Sequence, residues 1–508
     1  MKKYLKVISF VALFSLFGIS SSSANLEEKS LSNVSVLNKK EKIKKANNSD
    51  NVLRVYNWED YIYLDDDEKM TLVEEFEDEY DCTVVYDTFD TNETMLSKIK
   101  LGVSDYDLIC PSDYTIQRMI SEDLLVPFDE DSTPYYDLYA SKYLVNKLEE
   151  IEVNGESNIV QNYARGYMWG TLGLLYNPEY DGFAEDVSET IQEDMGDWNS
   201  LWEDKYYGSF YLKDSMRDTY SVGIMRAYDA EFKALKEEYE DGSISEEEYN
   251  LEVTRLFNQS DQEASNKVFD ALEDLTANGA SFEIDEGKED IQKGYIGVDV
   301  AWSGDASYAM YNADENGLSL YYQVPKTGGN IWFDGWVMPK GANKTLAEEF
   351  VDFLSRPENA IMNMDYIGYV SFIAGDDVLD YVKDNYDVSE DDTIEEKYDR
   401  DLSYLFDGTL ENYDLDDCAL EIEEENREFD TCYPKEEDLA HLAVMNDFGE
   451  NLSIVTSGWE KYRGQSIPLW LYITSGVVVL GIIGYIIFYK IRKKTELKRR
   501  KERRAKAA

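Results

Sequence analysis

The stretch VLRVYNWEDYI, residues 52–62, decides the reading of this 508-residue chain. Leu53 and Val55 mark a short β-strand, and the strand runs into Trp58, Glu59, Asp60 and Tyr61. Outward from it, strand-like and helix-like patterns alternate. A helix is expected over 69–80, a strand in CTVVYDTF (82–89), a helix over 93–101, a strand in YDLICPS (106–112) and a helix from Tyr114. That βαβαβ order argues for a parallel sheet covered by helices. An acid beside an aromatic face is unremarkable on most surfaces. At the carboxyl end of the first strand of an α/β domain it is a candidate site for an organic cation.

Further along, RGYMWGTLGLLYN (165–177) reads as a long apolar strand crossing between two lobes, and the length suffices for both. A mainly helical stretch follows, broken by EDGSISEEEY (240–249), a turn with a capping box from Ser245 to Glu248. Strand signals return in YIGVDVAWSG (295–304), LSLYYQVP (318–325) and IWFDGWVMP (331–339), then a helix over 345–354 and a strand in IGYVSF (367–372). Beyond 375 lies a long acidic stretch without a clear period, and AHLAVMNDFGENL (440–452) is expected to be helical. Residues 1–24 have the lysines, apolar run and small residues of a secretory signal, and 25–51 form a polar, aperiodic leader. Leu469–Tyr489 is apolar and long enough to span a bilayer. The tail 490–508 carries 11 Lys and Arg against 2 Glu, which places it in the cytoplasm and the body outside.

The formal charge is −56; without the signal and the tail, 35 basic residues face 103 acidic ones, a balance of −68. Nucleic acid and other anionic partners are disfavoured and cations are attracted. Most of these acids, as in LDDDEK (64–69) and EIEEENREFD (421–430), read as solvated faces. A single histidine, His441 in the expected helix, leaves little for a His-based triad or a zinc hydrolase. Of four cysteines, Cys82 and Cys110 lie on strand-like runs, whereas an extracellular setting would permit a Cys418–Cys432 bridge. The run NADENGLSLYYQ (312–323) approaches the spacing of a calcium loop, but its last position is Gln323, which lacks the bidentate carboxylate. What recurs is an aromatic next to an acid or glycine at a strand end: Trp58 with Asp60, Tyr114, Trp302, Trp332 with Asp334, and Tyr369. Converging in a cleft, rings and carboxylates of this kind suit a thin, apolar-stemmed polycation.

LRVYNWEDYI, DTNETMLSKIKLGVSDYDLICPSDYTIQRM, MWGTLGLLYN, WNSLWEDKYYGSFYLKDSMRD, GVDVAWSGDAS, PKTGGNIWFDGWVMP and YIGY occur in this order. In that order they resemble the bacterial spermidine/putrescine-binding proteins, receptor subunits of polyamine ABC importers. The resemblance covers roughly 52–375, with a weaker echo at VMNDFG. It implies an α/β, two-lobed, periplasmic-binding-protein-like fold of type II with hinge crossover strands. Lobe 1 would comprise 52–165 and 334–465, with an acidic insertion at about 375–440, and lobe 2 would comprise 166–333. By similarity Trp58, Tyr114, Trp302, Trp332 and Tyr369 form aromatic walls. Asp60, Asp218 and Asp334 pair with amines, Tyr61 and Ser112 hydrogen-bond, and Arg217 is a structural partner. No cofactor and no catalysis are implied. With no GxxxxGK[ST] loop, the permease and ATPase must be separate chains. The sequence departs from the family pattern at Asp60 and Asp218, where Glu is common, at Ser215, where a second acid is frequent, and at Glu59 and Met445. The preferred polyamine therefore stays open. Two other readings stand beside this one: a receptor of the same fold for an amino acid, a thiamine-like cation or a metal complex, and a surface interaction protein using the acidic segment.

Overall fold

The computed structural model describes residues 51–466 apart from 65–69, 103–104, 390, 392, 395 and 425. Described residues as far as Trp459 lie in one compact unit; of a second unit only the helical turns from Glu460 are described. The expected signal, leader, apolar span and basic tail fall outside the described residues. Among those described, no helix is long and apolar enough to cross a membrane.

Strand β1 (Val52–Trp58) pairs in parallel with β2 (Thr83–Phe89) and with β3 (Leu108–Ile109). Its side chains alternate between two buried faces. Leu53 and Val55 pack with Phe76, Leu108 and Phe350 on one side, and Tyr56 packs with Phe89, Met95 and Ile109 on the other. Burial on both faces is what a parallel strand between helical layers requires, and each such side chain contributes about 1.5–3 kcal/mol. Helix α1 (Leu72–Tyr80) starts at a capping box, Thr71 with Glu74, and stops at Asp81 in the left-handed region (φ 46°). Helices α2 (Asn92–Lys100) and α3 (Asp113–Ser121) complete the βαβαβ run.

One mixed sheet of eleven strands runs β2-β1-β3-β10-β5-β8-β6-β7. Its further members are β5 (Ala164–Tyr176), β6 (Phe210–Lys213), β7 (Ser281–Glu283), β8 (Val298–Trp302) and β10 (Ile331–Pro339). The edge pieces β4 (Leu125–Val126), β9 (Tyr321–Gln323) and β11 (Val370–Ser371) pair with β10, β5 and β5. The long strand β5 joins the two halves: from Ala164 to Thr171 it pairs with β10, and from Leu172 to Tyr176 it pairs with β8, both antiparallel. The β5–β10 register shifts between Asp334 and Gly335, a bulge of the kind that re-aims a side chain. In the second half, α4 (Met216–Ala227) begins at the Ser215 cap, and α5 (Gly287–Gln292) and α6 (Ser303–Glu315) flank β8. The Ser245–Glu248 capping box stands between helices Asp229–Glu240 and Glu246–Phe257, as its spacing demands.

The acidic stretch beyond 375 is not a solvated loop. It folds into helix Asp376–Tyr386, an antiparallel pair of strands, β12 (Lys397–Asp401) with β13 (Ala419–Glu423), and a short helix, α7 (Arg427–Cys432). Leu402, Leu405, Phe406, Leu420, Ile422 and Phe429 enter the same core as Tyr56 and Ile109. In EIEEENREFD, therefore, Ile422 and Phe429 are core residues between acids. Helix α7 also reaches the second half of the sheet. Arg427 donates to Leu320 O (2.7 Å) and pairs with Asp314, and Cys432 Sγ lies 3.3 Å from Ser307 Oγ.

One other expectation is corrected. AHLAVMNDFGENL turns helical only at its end, in the 3-10 turn Gly449–Asn451 that leads into the helix from Leu452; before that, Ala443 bridges Asn330, and the carbonyls of Val444 and Met445 accept from Asn258 (3.0 Å) and Gln117 (2.9 Å). These backbone polar groups are satisfied by other elements, so no helix forms there. His441 stands in a turn, its ring edge-on to the stacked pair Tyr239 and Tyr249. The calcium-like run is the last turn of α6 followed by a turn into β9, with Asn312 and Asn316 donating to carbonyls four residues back. All four cysteines are free thiols, Cys418 and Cys432 included.

Candidate functional site

The opening stretch explains its own sharp ending. After Trp58 the chain turns through Asp60 in the left-handed region (φ 51°), which Asp tolerates better than most residues. Tyr61 is thereby sent back into the protein. Its carbonyl accepts from Asn57 Nδ2 (3.3 Å) and Tyr167 OH (2.8 Å), and its hydroxyl donates to Asp334 Oδ2 (2.9 Å). Asp334, at the bulge of β10, is 7% exposed. Ser112, at the start of α3, bridges its backbone and is held by Asn92, whose Nδ2 also donates to Tyr114 OH (2.8 Å). The other carboxylate oxygen, Oδ1, is buried and finds no donor among the described residues. Burial pushes the Asp334 carboxyl up to about 7, against the pull of Ser112 and Tyr61.

Around this carboxylate the rings converge. Tyr369 meets Trp332 at 5.6 Å and the Tyr61 ring edge-on at 5.2 Å. Two glycines make the approach possible: a Cβ on Gly304 would lie 2.2 Å from the Tyr369 ring, and one on Gly170 2.6 Å from the Trp332 indole. Across the cleft, Asp218 in the first turn of α4 accepts from Trp302 Nε1 (3.3 Å). Burial raises its carboxyl too, and its charge acts on Asp334. Beneath them Asp113, 1% exposed, accepts from Phe333 N–H (3.1 Å), and burial lifts it to about 8.

The network thus gathers Tyr61, Ser112, Asp218, Trp302, Trp332, Asp334 and Tyr369. Three candidates stand differently. Trp58 packs on Phe89 at 4.5 Å, its indole N–H buried without a partner among the described residues. The Tyr114 ring has the Arg217 guanidinium over it at 4.7 Å, and the same guanidinium lies 3.7 Å from the Phe448 ring and donates to Asn446 O. Asp60 is exposed and lies outside the hydrogen-bonded network. Met445, buried, contributes its carbonyl to Gln117 and no side-chain polar group.

Several residues escaped the sequence reading. Asp305, in the first turn of α6, accepts from Tyr369 OH (2.9 Å) and lies 3.6 Å from both Lys288 and Lys213. Against the burial that would raise it, the two lysines hold its carboxyl below the ordinary value. Lys213, 1% exposed, pairs with Glu283 at 2.6 Å and lies over the Trp302 ring at 4.4 Å. Asp305 was within reach of sequence reasoning, since it follows Trp302 in WSGD; the lysines carry no local signal. A separate hollow of about 490 Å³ is lined by Phe128, Asp129, Gln161 and Arg165. Its Arg165 is committed to Thr133 and to the carbonyls of Gln161 and Ala164, so the convergent chemistry is in the cleft.

Residues 71–385 match the family model described as bacterial extracellular solute-binding protein. The spermidine/putrescine-binding periplasmic protein of Escherichia coli is 26% identical over 321 residues, covering 63% of this chain and 77% of that one. The putrescine-binding periplasmic protein SpuD of Pseudomonas aeruginosa is 27% identical, covering 60% and 74%. Among solved structures, a putative spermidine/putrescine ABC transporter protein from Listeria monocytogenes superposes with a TM-score of 0.56 at 26% identity, over 81% of this chain and 99% of that one. The substrate-binding protein PotD from Streptococcus pneumoniae gives 0.52 at 26% identity, over 82% and 99%.

Proposed function

The chain belongs to the bacterial extracellular solute-binding proteins, and we propose that its solute is a polyamine of the spermidine and putrescine class, held in the cleft and delivered to an ABC importer. Its family binds solutes and is not an enzyme family. One observation carries the choice of solute: Asp334 presents a buried carboxylate oxygen without a donor among the described residues, beside Tyr61 and near the Trp332 and Tyr369 rings. A desolvated carboxylate walled by aromatic faces suits an ammonium on a methylene stem. Asp218 beside Trp302 supplies a second such end. In this reading Tyr61 and Ser112 orient Asp334, and the indoles cover the stem. Trp58, Asp60 and Tyr114 line the mouth of the cleft. The names of the relatives support the same class.

The binding domain is extracytoplasmic. The apolar run 469–489 followed by a tail of 11 basic and 2 acidic residues supports a single C-terminal anchor with that tail in the cytoplasm. Permease and ATPase are separate chains. The surface-interaction reading loses its support, because the acidic stretch beyond 375 is built into the core.

Calorimetric titration of the full-length chain with putrescine, spermidine, spermine and arginine, at low and high salt, tests the proposal. One-to-one binding of a polyamine that survives added salt is expected, with Trp332→Ala and Asp334→Ala each weakening it by about 2–4 kcal/mol in a folded chain. Heat that is non-stoichiometric and erased by salt for every amine would overturn it, since so acidic a surface collects polycations unspecifically.

A further inference from the structure

Three buried carboxylates stand along the cleft, Asp334, Asp218 and Asp305, but they are not equally free. Asp334 keeps a buried oxygen without a donor among the described residues, and Asp218 is held by the Ser215 hydroxyl and by the Trp302 indole at 3.3 Å, with no lysine paired to it among the described residues. Asp305 is different because protein cations face it: Tyr369 donates to its Oδ1 at 2.9 Å with the Lys288 ammonium 3.6 Å from the same oxygen, and its buried Oδ2, without a hydrogen-bond donor among the described residues, lies 3.6 Å from the Lys213 ammonium. Lys288 projects from the six-residue helix α5 and is 19% exposed at its side chain. It lies 5.7 Å from the centre of the Tyr308 ring. Asp305, Asp285 and Asp60 all hold the Lys288 ammonium in its charged form, and Glu59 faces it as well. Lys213 closes the same group from below, its charge matched by Glu283 at 2.6 Å. The Asp60 end of the cleft therefore contains an ammonium that belongs to the protein.

On the polyamine-receptor reading, we propose that Lys288 acts as a built-in ammonium at the Asp60–Asp305 end of the cleft, so that the site accepts a ligand with two ammonium groups and discriminates against one with three. Asp218 and Asp334 take the two ligand charges. A third ligand ammonium arriving between Asp60 and Asp305 would meet Lys288 in a partly desolvated space, where like charges repel far more strongly than in water. The selectivity is then a repulsive element, set by one side chain outside the aromatic walls.

Putrescine and spermidine, titrated calorimetrically into the full-length wild-type chain and into Lys288→Ala, Lys288→Gln and Lys288→Arg, test this; thermal melts report folding. Wild type and Lys288→Arg are expected to favour putrescine over spermidine by about tenfold or more. Lys288→Ala, or Lys288→Gln if alanine fails to fold, is expected to gain about tenfold for spermidine while putrescine moves less than about threefold. Equal wild-type affinity for both amines would overturn the proposal. So would a neutral variant that shifts both alike. If no folded variant binds either amine, the receptor reading itself fails, and the selectivity role of Lys288 with it.

Discussion

Lowering the pH from 8 to 6 should weaken polyamine binding through Asp334. The free carboxyl titrates at about 7 because it is buried, whereas a bound ammonium requires it ionised. The groups facing it are Tyr61, Cys110, Asp113, Asp218 and Tyr369. Of these, Asp113 is the other with a value near neutrality, about 8, and its oxygens are occupied by the backbone N–H groups of Phe333 and Tyr114. Only the ionised fraction of Asp334 binds, so the apparent Kd scales as one plus the ratio of protonated to ionised carboxyl. That factor is about 11 at pH 6 and about 1.1 at pH 8, a tenfold loss or ~1.4 kcal/mol. Binding at pH 6 must then expel close to one proton, and at pH 8 about a tenth of one. Calorimetry in two buffers of different ionisation enthalpy measures both quantities. The sign reverses for the empty protein: a carboxyl raised from 3.8 to about 7 on folding contributes stability that is full below its unfolded value and is lost as pH rises through 7. A saturating polyamine should thus raise the melting temperature more at pH 8 than at pH 6. An affinity flat between pH 6 and 8, with no proton released, would refute the assignment of Asp334 as an amine partner.

Three further outcomes follow from the packing. Lys213→Ala leaves Glu283 and Asp305 buried without their shared cation, and denaturant unfolding should show a loss of about 3–5 kcal/mol. Gly304→Ala puts a methyl into the Tyr369 ring, so amine affinity should fall, with a stability cost of about 1–3 kcal/mol; unchanged binding would place Tyr369 outside the wall. Alkylation of the unreduced, denatured chain should add four groups by mass, one for each free thiol. Two groups would instead mean a disulfide such as Cys418–Cys432.

The first half of the sheet was legible because β1 and β3 are buried on both faces and announce themselves as apolar runs, and the edge strand β2 keeps the β-branched and aromatic residues of a strand. Trp302, Trp332 and Asp334 were legible for a related reason: they end or interrupt strands whose place in the order is clear. Lys288 and Lys213 were not. A lysine on a six-residue helix or after a short strand looks like any surface lysine, and only the fold shows which acids surround it. Acids separate the apolar residues of the 402–429 segment, so neither strand nor helix period emerges, and long-range packing decides. The run 440–452 misled in the opposite sense. Its alanines and leucines favour a helix, but Gln117 and Asn258 hold its carbonyls from outside.

The folded insertion has a kinetic meaning for the cleft. Its strands are rooted in the core behind β1, whereas α7 is fastened to α6 through Arg427 and Cys432. Parting the two halves therefore means releasing this external buckle as well as flexing β5 and β10. A receptor fastened at two places opens less often than one hung on its hinge strands alone. In a solute receptor such a buckle is expected to lengthen capture, and faster solute dissociation from an Arg427→Ala variant would show it.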